Sequence, residues 1–188
     1  GQRPDVGCLG EPVRDYGDGT ERIAARLPGY RHARVEERFL VFARGSIEPV
    51  ESLRSVGRAV FAALRVTVDG TPVTVLCADV QSNPLRPRGP VLQRLSAAAA
   101  SFADGPALLV GDFNTPRTSV HFAELRTRWA HAFEVAGSGP DVTWPDPLPV
   151  LALDHVWASS AMTVRACEIV RTHASDHLPV VVTVGDVR

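Results

Sequence analysis

Three short segments toward the C-terminal end of the chain set acidic groups beside an amide or an imidazole. They are Val110-Gly111-Asp112-Phe113-Asn114-Thr115-Pro116, Leu153-Asp154-His155-Val156 and Ser175-Asp176-His177-Leu178-Pro179. Each stands at the edge of an apolar run that reads as a buried strand. Ionisable groups in such places cost free energy unless they are paired or coordinate a metal. Three of them in one chain predict a single site where three strand ends converge. Asp112 and Asn114 are two residues apart, so on an extended segment they share a face. A carboxylate and a carboxamide on one face suit phosphoryl transfer. The amide donates to a non-bridging phosphate oxygen while the carboxylate orients or deprotonates water. The plainer alternative is an Asx-type turn, with both side chains bonded to nearby backbone. Asp176 and His177 are neighbours, and in a regular strand they would face opposite ways. Both address one site only from a loop ahead of the strand expected at 178–184.

The elements that must hold these groups are legible as apolar or alternating runs at 39–43, 59–68, 72–80, 107–113, 155–158, 163–170 and 178–184. Asp69-Gly70-Thr71, between the second and third, is a hairpin signal. Helical spacing covers 21–27, 91–102 and 120–129, with Thr118 or Ser119 available to cap the last. No internal repeat or low-complexity linker interrupts the chain. Periodicity alone gives an α/β or α+β fold with many short strands.

Composition narrows the class. The 188 residues, 45% hydrophobic, predict one globular domain with a core that needs no covalent staples. No apolar run approaches the ~18 residues of a membrane span, and the polar opening Gly1-Gln2-Arg3-Pro4-Asp5 does not read as a signal peptide. Cys8, Cys77 and Cys167 are scattered and odd in number, which predicts buried structural thiols rather than a disulfide framework or zinc site. A formal charge of −1 with pI near 6.7 gives no bulk attraction to nucleic acid. All 20 basic residues are Arg.

With Gly111-Asp112-Phe113-Asn114, Asp154-His155 and Ser175-Asp176-His177 in this order, the chain resembles the endonuclease/exonuclease/phosphatase superfamily. Pro4-Asp5-Val6-Gly7-Cys8-Leu9-Gly10-Glu11 is similar to the family's strand ending in Gln-Glu, with Gly10 in the Gln position. Arg26-Leu27-Pro28-Gly29-Tyr30 followed by Phe39-Leu40-Val41-Phe42 fits the next helix end and strand. The resemblance runs from Pro4 to about Val184. It implies a four-layer α-β-β-α arrangement, a two-sheet β-sandwich flanked by helices. It also implies that the family's first strand, which ends in a metal-site Asn, is lacking here and that the domain is truncated at its N-terminus.

The resemblance further implies roles for single residues. His177 would be the general base, oriented by Asp154 in the manner of a catalytic triad. Asp112 would position the nucleophilic water or protonate the leaving oxygen, and Asn114 would hold the phosphate. Glu11 and Asp176 would be metal ligands, and their hard oxygens favour Mg²⁺ or Mn²⁺ over zinc. His155, where relatives vary between His and an aromatic, would either contact the phosphate or pack beneath Trp157. Trp144, in Thr143-Trp144-Pro145, would stack on a base or sugar or seal the core. The family's phosphate-binding His after the strand at 72–80 has no counterpart, because the chain reads Cys77-Ala78-Asp79-Val80-Gln81-Ser82-Asn83. Asp79, Gln81 or Asn83 must stand in, and an Asp there repels phosphate unless a cation intervenes. Arg86 and Arg88 follow and could supply phosphate contacts, although a solvated loop is their default reading. His32, His121, His131 and His173 read as surface or packing residues.

The expectation is therefore a monomeric, divalent-metal-dependent phosphoesterase. Its substrate would be a phosphodiester or phosphomonoester from nucleic acid, a phospholipid headgroup or a small molecule, since a fold does not choose among these. The rival expectation is a non-catalytic binding domain that keeps the fold, supported by the absent Asn strand and the absent His.

Overall fold

The strands that carry the site lie at the centre of the largest sheet, where the sequence is most continuously apolar. The computed structural model describes residues 3–11, 19–83 and 85–185. Its first half runs β1 (Val6–Gly10), α1 (Gly19–Arg26), β2 (Arg31–Val35), β3 (Phe39–Ala43), β4 (Ser46–Val56), β5 (Ala59–Val68) and β6 (Thr71–Val80). The second half runs α2 (Gly89–Ala99), β7 (Ala107–Asp112), β8 (Trp129–His131), α3 (Ala132–Ala136), β9 (Asp154–Ser159), β10 (Thr163–Ile169) and β11 (Val180–Gly185).

Six strands form the main sheet in the order β4-β5-β6-β7-β9-β8, with β6 and β7 parallel and the other neighbours antiparallel. One face is covered by α2 and by aromatic residues of the segments between β7 and β9. Phe61, Leu76, Leu92, Leu95, Phe113, Phe122 and Trp157 pack together there. The other face meets a second layer in two pieces, β1-β3-β2 over β5 and β6 and the β10-β11 pair over β7 and β9. This is the expected two-sheet sandwich with helices outside. The strict alternation of a pleated strand decides which residues see which face. Ala78 and Leu76 look toward α2, whereas Cys77 and Val75 look toward the second layer.

Local chemistry explains the elements. The β5–β6 hairpin turns at Asp69 (φ 49°) and Gly70 (φ 80°), the doubly positive φ that Asp-Gly favours in a two-residue turn. Pro90 starts α2 in its first turn, where a missing N–H costs nothing. Three strands were not marked by the sequence: β2, β4 and β8. β2 and β4 lie at sheet edges and alternate charged with half-buried residues, so they carry no apolar run. The helix expected at 120–129 is replaced by two 3-10 turns, Val120–Phe122 and Leu125–Thr127, followed by β8. Ser119 caps the first by accepting from the His121 amide. The reason is tertiary: Trp129, Ala130 and His131 pair with Ser159, Ala158 and Trp157 of β9, which pulls the end of the segment into the sheet.

The cysteines are free thiols. Cys8 and Cys77 face one another between the layers with their sulfurs 2.8 Å apart, and Cys167 is buried under α3 and β11. Among the described residues no helix is long and apolar enough to cross a membrane.

Trp157 is fully buried at the junction of β7, β8 and β9, against Phe122 and His131. Trp157→Ala is expected to lower unfolding free energy by about 3–5 kcal/mol. Urea denaturation followed by circular dichroism would check this; a loss under about 1 kcal/mol would show that the aromatic cluster does not anchor the sheet.

Candidate active site

The register of three central strands builds the site. Asp79 of β6 pairs with Asp112 of β7, which pairs with Asp154 of β9. Residues in register share a face, and this row continues Cys77, Val110 and Val156, which point into the space between the layers. Three carboxylates thus line up at one end of the sandwich. Gly111 permits the close approach of β6 and β7 beside them. Its φ is 142°, and a Cβ there would lie 1.8 Å from the Ala78 carbonyl oxygen.

The strand alternation also separates neighbours. His155 follows Asp154 and therefore faces the opposite side, among Phe113, Phe122 and His131. It is 2% exposed. Its Nε2 lies 2.8 Å from the Thr115 carbonyl oxygen and its Nδ1 3.1 Å from His131 Nε2. A carbonyl can only accept, so His155 carries its proton on Nε2 and accepts from His131 through Nδ1. Burial pushes both imidazoles down, His155 to about 4 and His131 to about 3, which keeps them neutral. Of the two expectations for His155, phosphate contact is thus incompatible with the side it faces, and packing describes its place.

Asp112 makes the Asx-type turn of the plainer alternative, whereas the Asn114 side chain bonds to Asp112 and across to β6 rather than to nearby backbone. The Asn114 amide donates to Asp112 Oδ1 at 2.7 Å, and its Nδ2 donates to Asp112 Oδ2 and to the Val80 carbonyl, both at 2.8 Å. Asn114 sits at φ 45°, a left-handed conformation that Asn tolerates better than most residues. Both of its side-chain N–H groups are engaged in holding Asp112, so donation to a phosphate requires one bond to be exchanged. Asp112 nevertheless remains chemically unusual. Burial first, and then the Asp154 charge, raises its carboxyl to about 7.

His177 comes from the loop between β10 and β11. Its Nδ1 is 2.7 Å from Asp154 Oδ2, a bond that raises the imidazole above its ordinary value against the opposing effect of burial. Asp112, Asp154 and His177 each offer a donor atom within 4.8 Å of the others. Thr143, fully buried, ties the loops together. Its Oγ1 accepts from the Leu153 and Asp154 amides at 3.0 and 3.2 Å, and its carbonyl accepts from the Leu178 amide at 2.8 Å. One residue thereby fixes both members of the Asp154–His177 pair. Trp144 lies alongside, with its ring centroid 6.4 Å from that of His177 and its Nε1 donating to Asp176 Oδ2 at 3.3 Å. It is half-buried, so it does not seal the core.

The remaining expected residues are spread around this centre. Glu11, at φ 44° just after β1, is exposed and accepts from Arg38 Nη1 at 2.7 Å. Asp176 is exposed on the β10–β11 loop, where its carbonyl accepts from the Asp146 amide. Arg86 is exposed on the loop after β6, and Arg88 donates to the Gln81 carbonyl. His32, His121 and His173 are exposed, and His173 pairs with Asp146. Arg38 and Thr143 are the site residues that sequence reasoning missed. Arg38 contacts Asp79 through Nη2 at 2.7 Å as well as Glu11, but the three lie far apart in the chain. Thr143 carried a signal, the Thr-Trp pair, that drew notice to the Trp.

Asp112 and Asp154 thus meet His177 with donor atoms within 4.8 Å of one another, while Glu11 and Asp79 share Arg38 and Asp176 stands exposed beside Trp144. Hard oxygen donors in such excess, one of them already holding a proton near neutral pH, fit a divalent cation of the Mg²⁺ or Mn²⁺ type.

The sequence matches the endonuclease/exonuclease/phosphatase family over residues 2–177, and the chain belongs to that family of phosphoester hydrolases. Solved structures agree in fold. Danio rerio TDP2 complexed with a single-strand DNA product is similar at a TM-score of 0.74 and 14% identity, covering 97% of this chain and 86% of its own. Bacteroides thetaiotaomicron mannosyl-6-phosphatase Bt3783 gives 0.71 and 16%, covering 96% and 85%. The human Nocturnin catalytic domain, solved with a bound sulfate anion, gives 0.69 and 20%, covering 97% and 80%. No curated protein matches the chain by sequence.

The raised Asp112 carboxyl has a consequence for stability. Between its unfolded value near 3.8 and its folded value of about 7, the folded chain binds more protons than the unfolded one. Stability therefore falls as pH rises through this window. Asp112→Asn removes that slope. The variant is expected to gain about 2–3 kcal/mol relative to wild type between pH 5 and pH 8. Chemical denaturation in EDTA at both pH values would test it, and a pH-independent difference would refute it.

Proposed function

We propose that the chain hydrolyses a phosphodiester or phosphomonoester, as a monomer, with a water molecule activated by His177. The observation that carries this reading is the 2.7 Å bond from His177 Nδ1 to Asp154 Oδ2, with Asp112 at its side. That bond commits Nδ1 and leaves Nε2 to take a proton from water, while the Asp154 carboxylate stabilises the imidazolium that forms. Asp112, raised to about 7, is suited to deliver a proton to the leaving oxygen near neutral pH. Asn114 holds Asp112 and can turn one N–H from Val80 toward a phosphoryl oxygen. Trp144, beside His177, offers a half-exposed ring to the leaving group, and Arg86 a guanidinium at the rim. His155 supports the site from behind and takes no part in proton transfer.

Glu11 and Asp176 are the proposed ligands of a divalent ion, Mg²⁺ or Mn²⁺, and the Asp112, Asp154 and His177 group is a second place where such an ion could sit. When bound, the ion polarises the phosphoryl oxygen and stabilises the leaving alkoxide. A nucleic acid, a phospholipid headgroup and a small phosphoester all present the group that this centre would act on.

Hydrolysis of bis-(p-nitrophenyl) phosphate and p-nitrophenyl phosphate, with Mg²⁺, Mn²⁺ or EDTA, tests the reading. Turnover is expected to need the metal and to fall roughly 10²–10⁴-fold in His177→Ala. A folded wild type with no turnover on these substrates, on DNA or on lipid phosphoesters would favour a binding domain instead.

The pH profile adds a sharper check. As general base, His177 must be unprotonated, so kcat/KM should fall on the acid side through a pKa above the ordinary histidine value of 6.5. Asp154→Asn withdraws the charge, and the charge-assisted bond, that raise it. The acid limb should then move to lower pH while the plateau drops; an unmoved limb would remove Asp154 from the role of partner.

A further inference from the structure

The row of carboxylates holds one, Asp79, to which the proposed reaction gives no contact with substrate or water. Asp79 stands in register beside Asp112, its side chain is only 13% exposed, and its charge helps to raise the Asp112 carboxyl. A phosphoester approaching Asp112 and Asn114 would meet that like charge at short range, in surroundings too dry to screen it well. Arg38 answers this directly. It sits in the turn between β2 and β3, with its backbone N–H bonded to the Val35 carbonyl and its carbonyl accepting from the Glu11 amide. The backbone is therefore held at both ends, and the side chain forks. Nη1 reaches Glu11 Oε1 and Nη2 reaches Asp79 Oδ2, each at 2.7 Å. One planar cation joins the residue after β1 to the end of β6, a span that guanidinium supplies and ammonium does not.

We propose that Arg38 is a positioning residue for substrate binding, cancelling the Asp79 charge so that the phosphoester anion can settle against Asp112. The inference rests on the phosphoesterase reading above. It accounts for an aspartate at a phosphate-facing strand end, and it assigns work to a residue between two acidic partners that sequence spacing does not connect. Arg38 touches neither the water nor the leaving group; it acts through Asp79.

The test measures binding of inorganic phosphate to the purified chain by titration calorimetry at saturating Mg²⁺, beside steady-state kinetics on bis-(p-nitrophenyl) phosphate. Arg38→Gln is expected to weaken phosphate binding and raise KM at least about tenfold, with kcat within about threefold. Asp79→Asn placed in the Arg38→Gln background should restore both to within about threefold of wild type, because the charge to be cancelled is gone. Arg38→Lys should fall between. Asp79→Asn alone should bind phosphate as well as wild type or better, which keeps the test decisive even if Arg38→Gln folds poorly. Unchanged phosphate binding in Arg38→Gln, failure of Asp79→Asn to restore it, or a tenfold loss in Asp79→Asn alone would each overturn the inference. If wild type turns over while Arg38→Gln is unaffected, this inference alone falls. If wild type neither binds phosphate nor hydrolyses any phosphoester, the phosphoesterase reading falls with it.

Discussion

Everything at the site depends on the register of β7 between its two neighbours. Hydrogen bonds to β6 on one side and β9 on the other place Asp79, Asp112 and Asp154 in a single row across three strands. A one-residue slip in either pairing would turn the slipped strand's set to the other face of the sheet and leave carboxylates buried among Phe113, Phe122 and Trp157. The apolar pattern forbids this, since Val110 and Val156 then have no place between the layers. Burial of the strand interiors thus fixes the position of the polar ends. Gly111 contributes the local condition, because β6 and β7 approach at a point where any side chain would collide with the Ala78 carbonyl.

A row of acids placed by packing is then an electrostatic problem that other parts of the chain resolve. Burial and the Asp154 charge leave Asp112 able to hold a proton near neutral pH. Asp154 is stabilised by His177 and by the Thr143 hydroxyl that fixes its backbone, and Asp79 faces Arg38. Each acid receives a different remedy: a proton, an imidazole, a guanidinium. Unequal environments for chemically identical groups are what separate acid from base in one site. The same inequality explains why Asp112 and Asp154, neighbours on adjacent strands, carry different proposed roles.

The sequence displayed the parts of this arrangement that depend on short spacing. The central strands were visible as apolar runs, the β5–β6 turn as Asp-Gly, and the convergence of Asp112, Asp154 and His177 as three polar strand ends. What it hid was of two kinds. Edge strands such as β4 bury only one side and alternate with charge, so no apolar run announces them. Pairings across the layers, Arg38 with Asp79 or Thr143 with the Asp154 amide, join segments whose separation no local pattern encodes. His155 illustrates the limit from the other direction. Adjacency to Asp154 suggested a shared site, yet adjacency within a strand is the arrangement that sends two side chains to opposite faces. Asp112 and Asn114 meet for a different reason, because β7 ends at Asp112 and the left-handed Asn114 turns the chain back onto it. Two apart, they do meet, and they meet by bonding to each other.

The division between strand ends and loops also bears on the function proposed above. Asp112 and Asp154 belong to the rigid sheet, and His177 is tied to it through Asp154 and Thr143. The surrounding rim is of another kind. The loop after β6 exposes Leu85 and Arg86, and the loop before β9 exposes Leu148 and Val150 beside half-buried Trp144. Residues on such loops can change without disturbing the register that sets the acids in line. On the function proposed above, these loops would choose the substrate and the carboxylate row would serve whichever phosphoester they admit.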